Sequence, residues 1–251
     1  MSDDVAAGRV QRAAHVTVVL VVSAFFAILL SSHRVSAAPQ QADAARRTYL
    51  SDCAVCHGAD GSGTNQGPSL KDVGTASIDY MISTGRMPIA DPTQRLARRT
   101  PQYPSDEQRA LVDYVGTLSG GGPDVPHLDL HAADIARGGE AFREQCAACH
   151  AWSGTGGALL QREAPELTEA TPTQIAEAIR TGPGSMPVFG PAALDDRQLD
   201  DTVAFVDSLK RPDDRGGLAL GHIGPVTEGA IAIVGALGLL LLASRWIGTE
   251  R

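Results

Sequence analysis

The sequence Cys-Ala-Val-Cys-His occupies residues 53–57, and it recurs almost unchanged as Cys-Ala-Ala-Cys-His at residues 146–150. Together the two pentapeptides use all four cysteines of the chain. A Cys-x-x-Cys-His run is an attachment signal for heme c, in which two thiols bond to the heme and the next imidazole ligates the iron. The sequence therefore predicts two covalently bound heme c groups. The thiols are those of Cys53, Cys56, Cys146 and Cys149, and the iron ligands are His57 and His150.

Three other uses of a Cys-x-x-Cys pair stay open at this point: a thioredoxin-like dithiol, half of a zinc site, and a structural disulfide. A redox dithiol does not need a histidine directly after it in both copies. A shared zinc site leaves a second repeated feature unexplained, because each copy also carries its own Met-Pro. Heme attachment accounts for both features.

The methionines provide candidates for the sixth iron ligand because they are scarce. Of the four in the chain, Met1 initiates it and Met81 is expected in the core of a helix. Met87 and Met186 instead follow a glycine expected to end a helix, and each precedes a proline. A thioether ligand raises the reduction potential of a heme relative to a second histidine. We predict Met87 and Met186 as axial ligands, with an ordinary packing role as the alternative.

A proline lies between the histidine and the methionine of each copy. Pro68 and Pro165 are expected to make turns. In the functional interpretation, a carbonyl near each proline accepts the proton of the proximal imidazole and fixes the orientation of the ring.

The repeat extends well beyond the cysteines, because residues 43–118 align with residues 134–209. An aromatic residue precedes the first cysteine of each copy by four positions, and another lies on the last predicted helix. We therefore expect the first and last helices of each copy to pack through an aromatic pair. The pairs are Tyr49 with Tyr114, and Phe142 with Phe205.

Helical periodicity and end signals accompany the repeat. An Ile-x-x-x-Ile pair precedes each Met-Pro, so two isoleucines share one helix face: Ile78 with Ile82, and Ile175 with Ile179. The last helix of each copy is expected to begin with a capping box and to end at a leucine. The boxes are Ser105 with Gln108 and Asp195 with Gln198, and the ends are Leu118 and Leu209. The fold class predicted is all-α, with two homologous domains joined by a Gly-rich linker.

Composition limits both the core and the partners. Aromatic residues make up only 4% of the chain, so each small domain needs a large bound group to complete its core, and heme would supply it. The formal net charge is −8 and lies mainly in the middle of the chain. An acidic surface argues against nucleic acid as a partner.

The two ends of the chain are apolar. Residues 16–30 (VTVVLVVSAFFAILL) precede a Val-Ser-Ala sequence, so residues 1–37 are either a cleaved signal peptide or a retained N-terminal anchor. Residues 223–247 are expected to form a transmembrane helix, closed by Arg245 and Trp246. The positive-inside rule then places the middle of the chain outside the cytoplasmic membrane.

These features resemble a known family. The tandem Cys-x-x-Cys-His units, the Gly-Arg-Met-Pro sequence at 85–88 and the tail Gly-His-Ile-Gly-Pro-Val-Thr-Glu-Gly at 221–229 are similar to the diheme cytochrome c subunits of actinobacterial menaquinol–cytochrome c reductases. The resemblance implies two tandem class I cytochrome c domains, at residues 40–122 and 134–212. The loop at residues 88–104 is longer than its counterpart in the second copy.

The resemblance also implies a function and a set of partners. A Rieske iron–sulfur protein would reduce one heme, and the other would pass the electron to a terminal cytochrome c oxidase, within a complex that contains a cytochrome b subunit. The chain would be an electron carrier in a quinol–cytochrome c reductase, with no substrate chemistry of its own. Two alternatives stay open: a diheme subunit of another oxidase or dehydrogenase, and a diheme peroxidase.

Overall fold

The computed structural model describes residues 37–159, 162–211 and 225–248, together with Ser23. Apart from Ser23, the N-terminal apolar segment and its expected cleavage site before residue 37 lie outside the described residues, as do residues 221–224 of the tail. The chain divides into two compact units, with the boundary between Gly122 and Pro123.

Four helices form the described part of the first unit: α1 (Ala37–Asp52), α2 (Ala54–His57), α3 (Thr75–Ser83) and α4 (Ser105–Ser119). Helix α4 packs against both α1 and α3. The rings of Tyr49 and Tyr114 lie 5.6 Å apart between centroids, in a tilted arrangement. The predicted aromatic contact between the first and last helices is therefore confirmed in this unit.

The second unit repeats this arrangement with one addition. Its helices are α5 (Ile135–Gln145), α6 (Ala147–His150), α7 (Pro172–Thr181) and α8 (Asp196–Ser208), and α8 packs against α5 and α7. The rings of Phe142 and Phe205 lie 5.3 Å apart, which confirms the second predicted pair. The addition is an antiparallel hairpin of two short strands, β1 (Gly157–Leu159) and β2 (Arg162–Ala164). No sequence pattern predicted these strands, and the other regular elements of the described chain are helices.

The helix starts differ in how well they follow the expected signals. Asp195 and Gln198 form the predicted capping box at the start of α8. The box predicted at Ser105 is wrong, because Pro104 occupies the N-cap position and Ser105 is already helical. Gln108 donates instead to the carbonyl of Tyr103, at 2.7 Å. The last helix of each unit ends one residue from the predicted leucine, α4 at Ser119 and α8 at Ser208.

Each unit has its own small hydrophobic core. The predicted isoleucine pairs of α3 and α7 are buried in these cores, at 9% exposure or less: Ile78, Ile82, Ile175 and Ile179. Met81 lies in α3 as expected, but its side chain is only half-buried, so its assignment to the helix core is corrected. It follows buried Tyr80 and precedes buried Ile82, and thus lies at the edge of the buried face.

The last described helix is α9 (Pro225–Gly248). Its segment Gly229–Gly248 has 20 residues with a mean hydropathy of 2.0, and none of it is buried against the rest of the chain. At 1.5 Å per residue, such a helix is about 30 Å long, which matches the hydrocarbon thickness of a bilayer. The helix predicted at the C-terminal end is therefore long and apolar enough to cross a membrane.

Candidate heme sites

Each Cys-x-x-Cys-His sequence forms one tight helical turn. Cys53 lies between α1 and α2, and the backbone N–H of His57 donates to its carbonyl at 2.9 Å. The same bond joins His150 to Cys146 at 2.9 Å in the second unit. The structure therefore brings the predicted thiols and imidazole of each unit together on a single turn. All four thiols are free.

Both predicted iron-ligating histidines contact a proline carbonyl. Nδ1 of His57 lies 2.8 Å from the carbonyl oxygen of Pro68, and Nδ1 of His150 lies 3.1 Å from that of Pro165. A carbonyl can only accept a hydrogen bond, so Nδ1 carries a proton, and in the neutral ring Nε2 then has the lone pair. The expected imidazole–carbonyl bond is confirmed in both units, and it leaves each ring ready to ligate a metal through Nε2.

Glycines hold the loop that carries this carbonyl close to the cysteine turn. The N–H of Gly63 donates to the carbonyl of His57 at 2.8 Å, and Gly156 makes the same bond to His150 at 3.0 Å. Both glycines have a positive φ, and a Cβ on Gly63 would lie 2.6 Å from the backbone nitrogen of Ser69. The sequence analysis missed this pair, although the two glycines are 93 residues apart, like the cysteine motifs.

A further close approach lies beside the second cysteine of the first unit. A Cβ on Gly67 would be 2.9 Å from Cβ of Cys56 and 2.9 Å from its carbonyl oxygen. Only glycine fits there without movement of the backbone, so the chain passes directly over the turn that carries the thiol.

Burial keeps the first thiol of each pair protonated. It raises the pKa of Cys53 to about 11, with smaller contributions from the negative charges of Asp52 and Cys56. It also raises the pKa of Cys146 to about 11, with Cys149 adding to the effect. Redox-active dithiols work through a thiol of depressed pKa. The raised values therefore disfavour the thioredoxin-like alternative.

Burial has the opposite effect on the imidazole of the second unit. His150 is only 8% exposed, and its desolvation lowers its pKa, although the bond to the carbonyl of Pro165 opposes this. A lowered pKa favours the neutral ring, which is the form that binds a metal.

The two candidate methionines lie on loops that follow α3 and α7. The N–H of Met87 donates to the carbonyl of Met81 at 3.0 Å, and that of Met186 donates to Pro183 at 3.2 Å. Both side chains are half-buried. Met186 packs on the same hydrophobic cluster as Cys146, so the structure brings these two predicted residues to one core. These backbone hydrogen bonds of the loops therefore help to determine where the two methionines lie.

Comparison with known proteins agrees with this geometry. Residues 42–119 match the family model described as "Cytochrome c". Residues 133–206 match the model described as "Cytochrome C oxidase, cbb3-type, subunit III". Fold and sites thus define a cytochrome c with two domains, and two such domains imply heme c. The predicted fold class of two helical cytochrome c domains, with one C-terminal apolar helix, is confirmed.

Full-length relatives give the narrower assignment. The chain is 35% identical over 217 residues to the "Cytochrome bc1 complex cytochrome c subunit" of Corynebacterium diphtheriae, covering 79% of this chain and 77% of the relative. It is 36% identical over 242 residues to the protein of the same name from Mycobacterium leprae, covering 89% and 82%. The chain belongs to this family of cytochrome bc1 complex cytochrome c subunits, which confirms the resemblance stated from the sequence.

A more distant relative has a different name. The "Cbb3-type cytochrome c oxidase subunit CcoP" of Cereibacter sphaeroides is 30% identical over 139 residues, covering 51% of this chain and 45% of the relative. This likeness extends over only half of the chain.

Proposed function

We propose that this subunit relays electrons from a Rieske iron–sulfur protein to a terminal cytochrome c oxidase, beside a cytochrome b subunit. Membership of the cytochrome bc1 family supports an electron-transfer role in a membrane-bound complex. The observation that carries the proposal is the duplicated site, in which a Cys-x-x-Cys-His turn and a proline carbonyl recur in both units. Two such sites in one chain allow an electron to enter at one domain and leave at the other.

The proposed assignments extend to domains and ligands. The domains are residues 40–122 and 134–212, the membrane helix is residues 223–247, and both domains lie on the extracytoplasmic side of the cytoplasmic membrane. Four thiols attach two heme c groups, and each iron has one histidine and one methionine. The thiols are those of Cys53, Cys56, Cys146 and Cys149, and the axial ligands are His57, Met87, His150 and Met186.

The residues of the chain hold and tune the cofactor. When bound, heme c supplies reversible one-electron chemistry at its iron. The carbonyls of Pro68 and Pro165 retain the Nδ1 proton of each imidazole, so the ring keeps one orientation in both oxidation states. Two thiols would attach each heme, and a histidine and a methionine would ligate its iron, so no ligand position would remain for a substrate. This arrangement favours electron transfer over peroxidase chemistry.

Purification from native membranes tests the proposal. An affinity tag on this subunit should recover a cytochrome b and a Rieske protein, and intact-mass spectrometry should find two heme groups on the chain. Recovery of an oxidase without cytochrome b would contradict the assigned partners. A polypeptide without added heme mass would contradict the assigned sites.

A second candidate is a diheme subunit of a cbb3-type oxidase. The match of residues 133–206 to the model for that subunit favours it. The likeness to the oxidase subunit covers half of the chain, however, whereas the likeness to the bc1 subunits covers 79–89%. The same purification separates the two, because only the first candidate requires a cytochrome b.

A further inference from the structure

A buried guanidinium lies directly before the proposed methionine ligand of the first unit. Arg86 is only 9% exposed, although arginine is almost never buried without a partner. Its Nη1 is fully buried and has no hydrogen-bond partner among the described residues. Its Cζ lies 4.8 Å from the centre of the Tyr80 ring, whose face attracts the positive charge but gives Nη1 no oxygen acceptor.

The second unit shows how this fold satisfies a buried arginine from its own chain. Arg180 is 6% exposed, and its Nη1 donates to the carbonyls of Phe189 at 2.9 Å and Leu194 at 2.5 Å. Its Nη2 donates to Asp196 at 2.7 Å. The loop after α7 thus supplies two carbonyls to Arg180, and the first residue of α8 supplies a carboxylate. In the part of the chain that the structure describes, Nη1 of Arg86 has no corresponding acceptor. Ser185 occupies the position aligned with Arg86, directly before the second methionine.

An unsatisfied buried donor of a charged group is costly, so the acceptor for Arg86 is expected to arrive with a bound group. The planar fork of arginine matches a carboxylate, and heme carries two propionate carboxylates. Arg86 is adjacent to Met87, which holds the iron in the proposed function. We propose that Arg86 binds a propionate of the first heme through Nη1 and positions that heme, whereas Ser185 occupies the aligned position in the second domain. This inference rests on the proposed heme sites.

Such a contact would affect the reduction potential in two ways. A positive charge beside the heme favours the reduced iron, which has one positive charge fewer, so loss of Arg86 lowers the potential of that heme. Loss of the partner also leaves the propionate uncompensated. Its protonation then depends on the oxidation state of the iron, so the potential becomes dependent on pH.

Redox titration of the purified complex at several pH values tests the inference, with Arg86→Gln compared to Arg99→Gln. Arg99 is a matched control because it lies on the same loop and carries the same charge. It is exposed, and its Nη2 donates to Gln94 at 3.1 Å. Arg86→Gln should lower the potential of one heme and introduce a pH dependence. Arg99→Gln should leave both potentials nearly unchanged. Equal titrations of the two variants at every pH would overturn the inference.

A second variant keeps the test decisive if Arg86→Gln does not assemble. Arg86→Lys retains the positive charge but loses the planar guanidinium. The reduction potential of the first heme should therefore stay close to that of the unmodified complex, while the carboxylate bands of the redox-difference infrared spectrum change. An infrared spectrum identical to that of the unmodified complex would overturn the propionate contact. Mass spectrometry of the unmodified complex distinguishes the two levels of failure. If the chain carries no heme, the proposed function is wrong. If it carries two hemes but the Arg86 variants change neither the reduction potential nor the infrared spectrum, only this inference is wrong.

Discussion

Asp201 on α8 accepts a hydrogen bond from Nε of Arg137 on α5 at 2.6 Å, and it is almost completely buried. The same carboxylate accepts the backbone N–H of Asp134, the N-cap of α5, also at 2.6 Å. One side chain therefore joins the start of the first helix of the second unit to the middle of its last helix.

Replacement of Asp201 by Asn should destabilise the second unit by about 1–3 kcal/mol, because a charged acceptor of two hydrogen bonds becomes a neutral one. Thermal unfolding of the heme-loaded subunit measures this loss. Asp207→Asn is the control, since Asp207 makes only a partly exposed pair with Lys210, and such pairs contribute less than about 1 kcal/mol. Equal stability of the two variants would contradict the role of Asp201.

The same carboxylate predicts a dependence of stability on pH. Burial raises the pKa of Asp201, but the bonds from Arg137 and the Asp134 backbone outweigh this effect and lower the pKa below its usual range. A depressed native pKa stabilises the fold above the unfolded value, which is about 3.9, and the contribution is lost as the pH falls through the native pKa. The stability difference between unmodified protein and Asp201→Asn should therefore shrink with acidification below about pH 4. A difference that stays constant there would contradict this assignment.

Gly138 should not tolerate alanine. Its Cβ would lie 1.9 Å from the carbonyl oxygen of Asp201, so α5 and α8 touch at this point. Alanine usually stabilises a helix relative to glycine by about 0.5–1 kcal/mol, whereas overpacking here should cost about 1–3 kcal/mol. The sign of the change in the free energy of unfolding shows whether the gain in helix propensity or the cost of overpacking is larger. Gly190→Ala, where nothing lies within 4 Å of the added Cβ, serves as the control.

Tyr49→Phe should weaken the first unit by about 1 kcal/mol. The buried hydroxyl of Tyr49 donates to the carbonyl of Gly58 at 2.6 Å, and the ring contact with Tyr114 would remain after the change. The second unit has Phe142 at the aligned position. Differential scanning calorimetry should show the loss in one transition only. An unchanged transition would mean that water replaces the hydroxyl without cost.

Met87→His and Met186→His should each lower the reduction potential of one heme and leave both hemes covalently attached, because a second imidazole favours the oxidised iron relative to a thioether. Redox titration together with intact-mass spectrometry measures both properties. Met81→Leu, in the last turn of α3, should leave both reduction potentials unchanged. A titration unaffected by Met87→His or Met186→His would refute the corresponding ligand assignment.

Repetition within the chain made much of the architecture predictable. The aligned aromatics at 49 and 142, and at 114 and 205, predicted the helix pairs correctly because each domain must bury these rings against each other. The proline between each histidine and methionine predicted the carbonyl that accepts a hydrogen bond from the imidazole. These features depend on spacing along one chain, which a sequence displays directly.

Other features depend on geometry that the sequence does not display. The Ser-x-x-Gln pattern at 105–108 matched a capping box, but Pro104 already supplied the extended N-cap conformation and moved the helix start by one residue. Thr171 and Gln174 form a capping box at the start of α7, although the sequence pattern did not predict one there. Burial of Arg86 and Arg180 was not foreseen, because arginine is ordinarily a surface residue.

Where the apolar helix at residues 229–248 anchors the chain in a bilayer, as proposed above, the anchor has a kinetic consequence. A carrier held in the bilayer beside its donor meets that donor at an effective concentration set by the tether, not by the volume of the compartment. Electron delivery then becomes a first-order event, and dilution of the complex leaves its rate unchanged. Proteolytic release of the two heme domains from this helix would convert the same transfer into a collisional reaction that slows with every dilution.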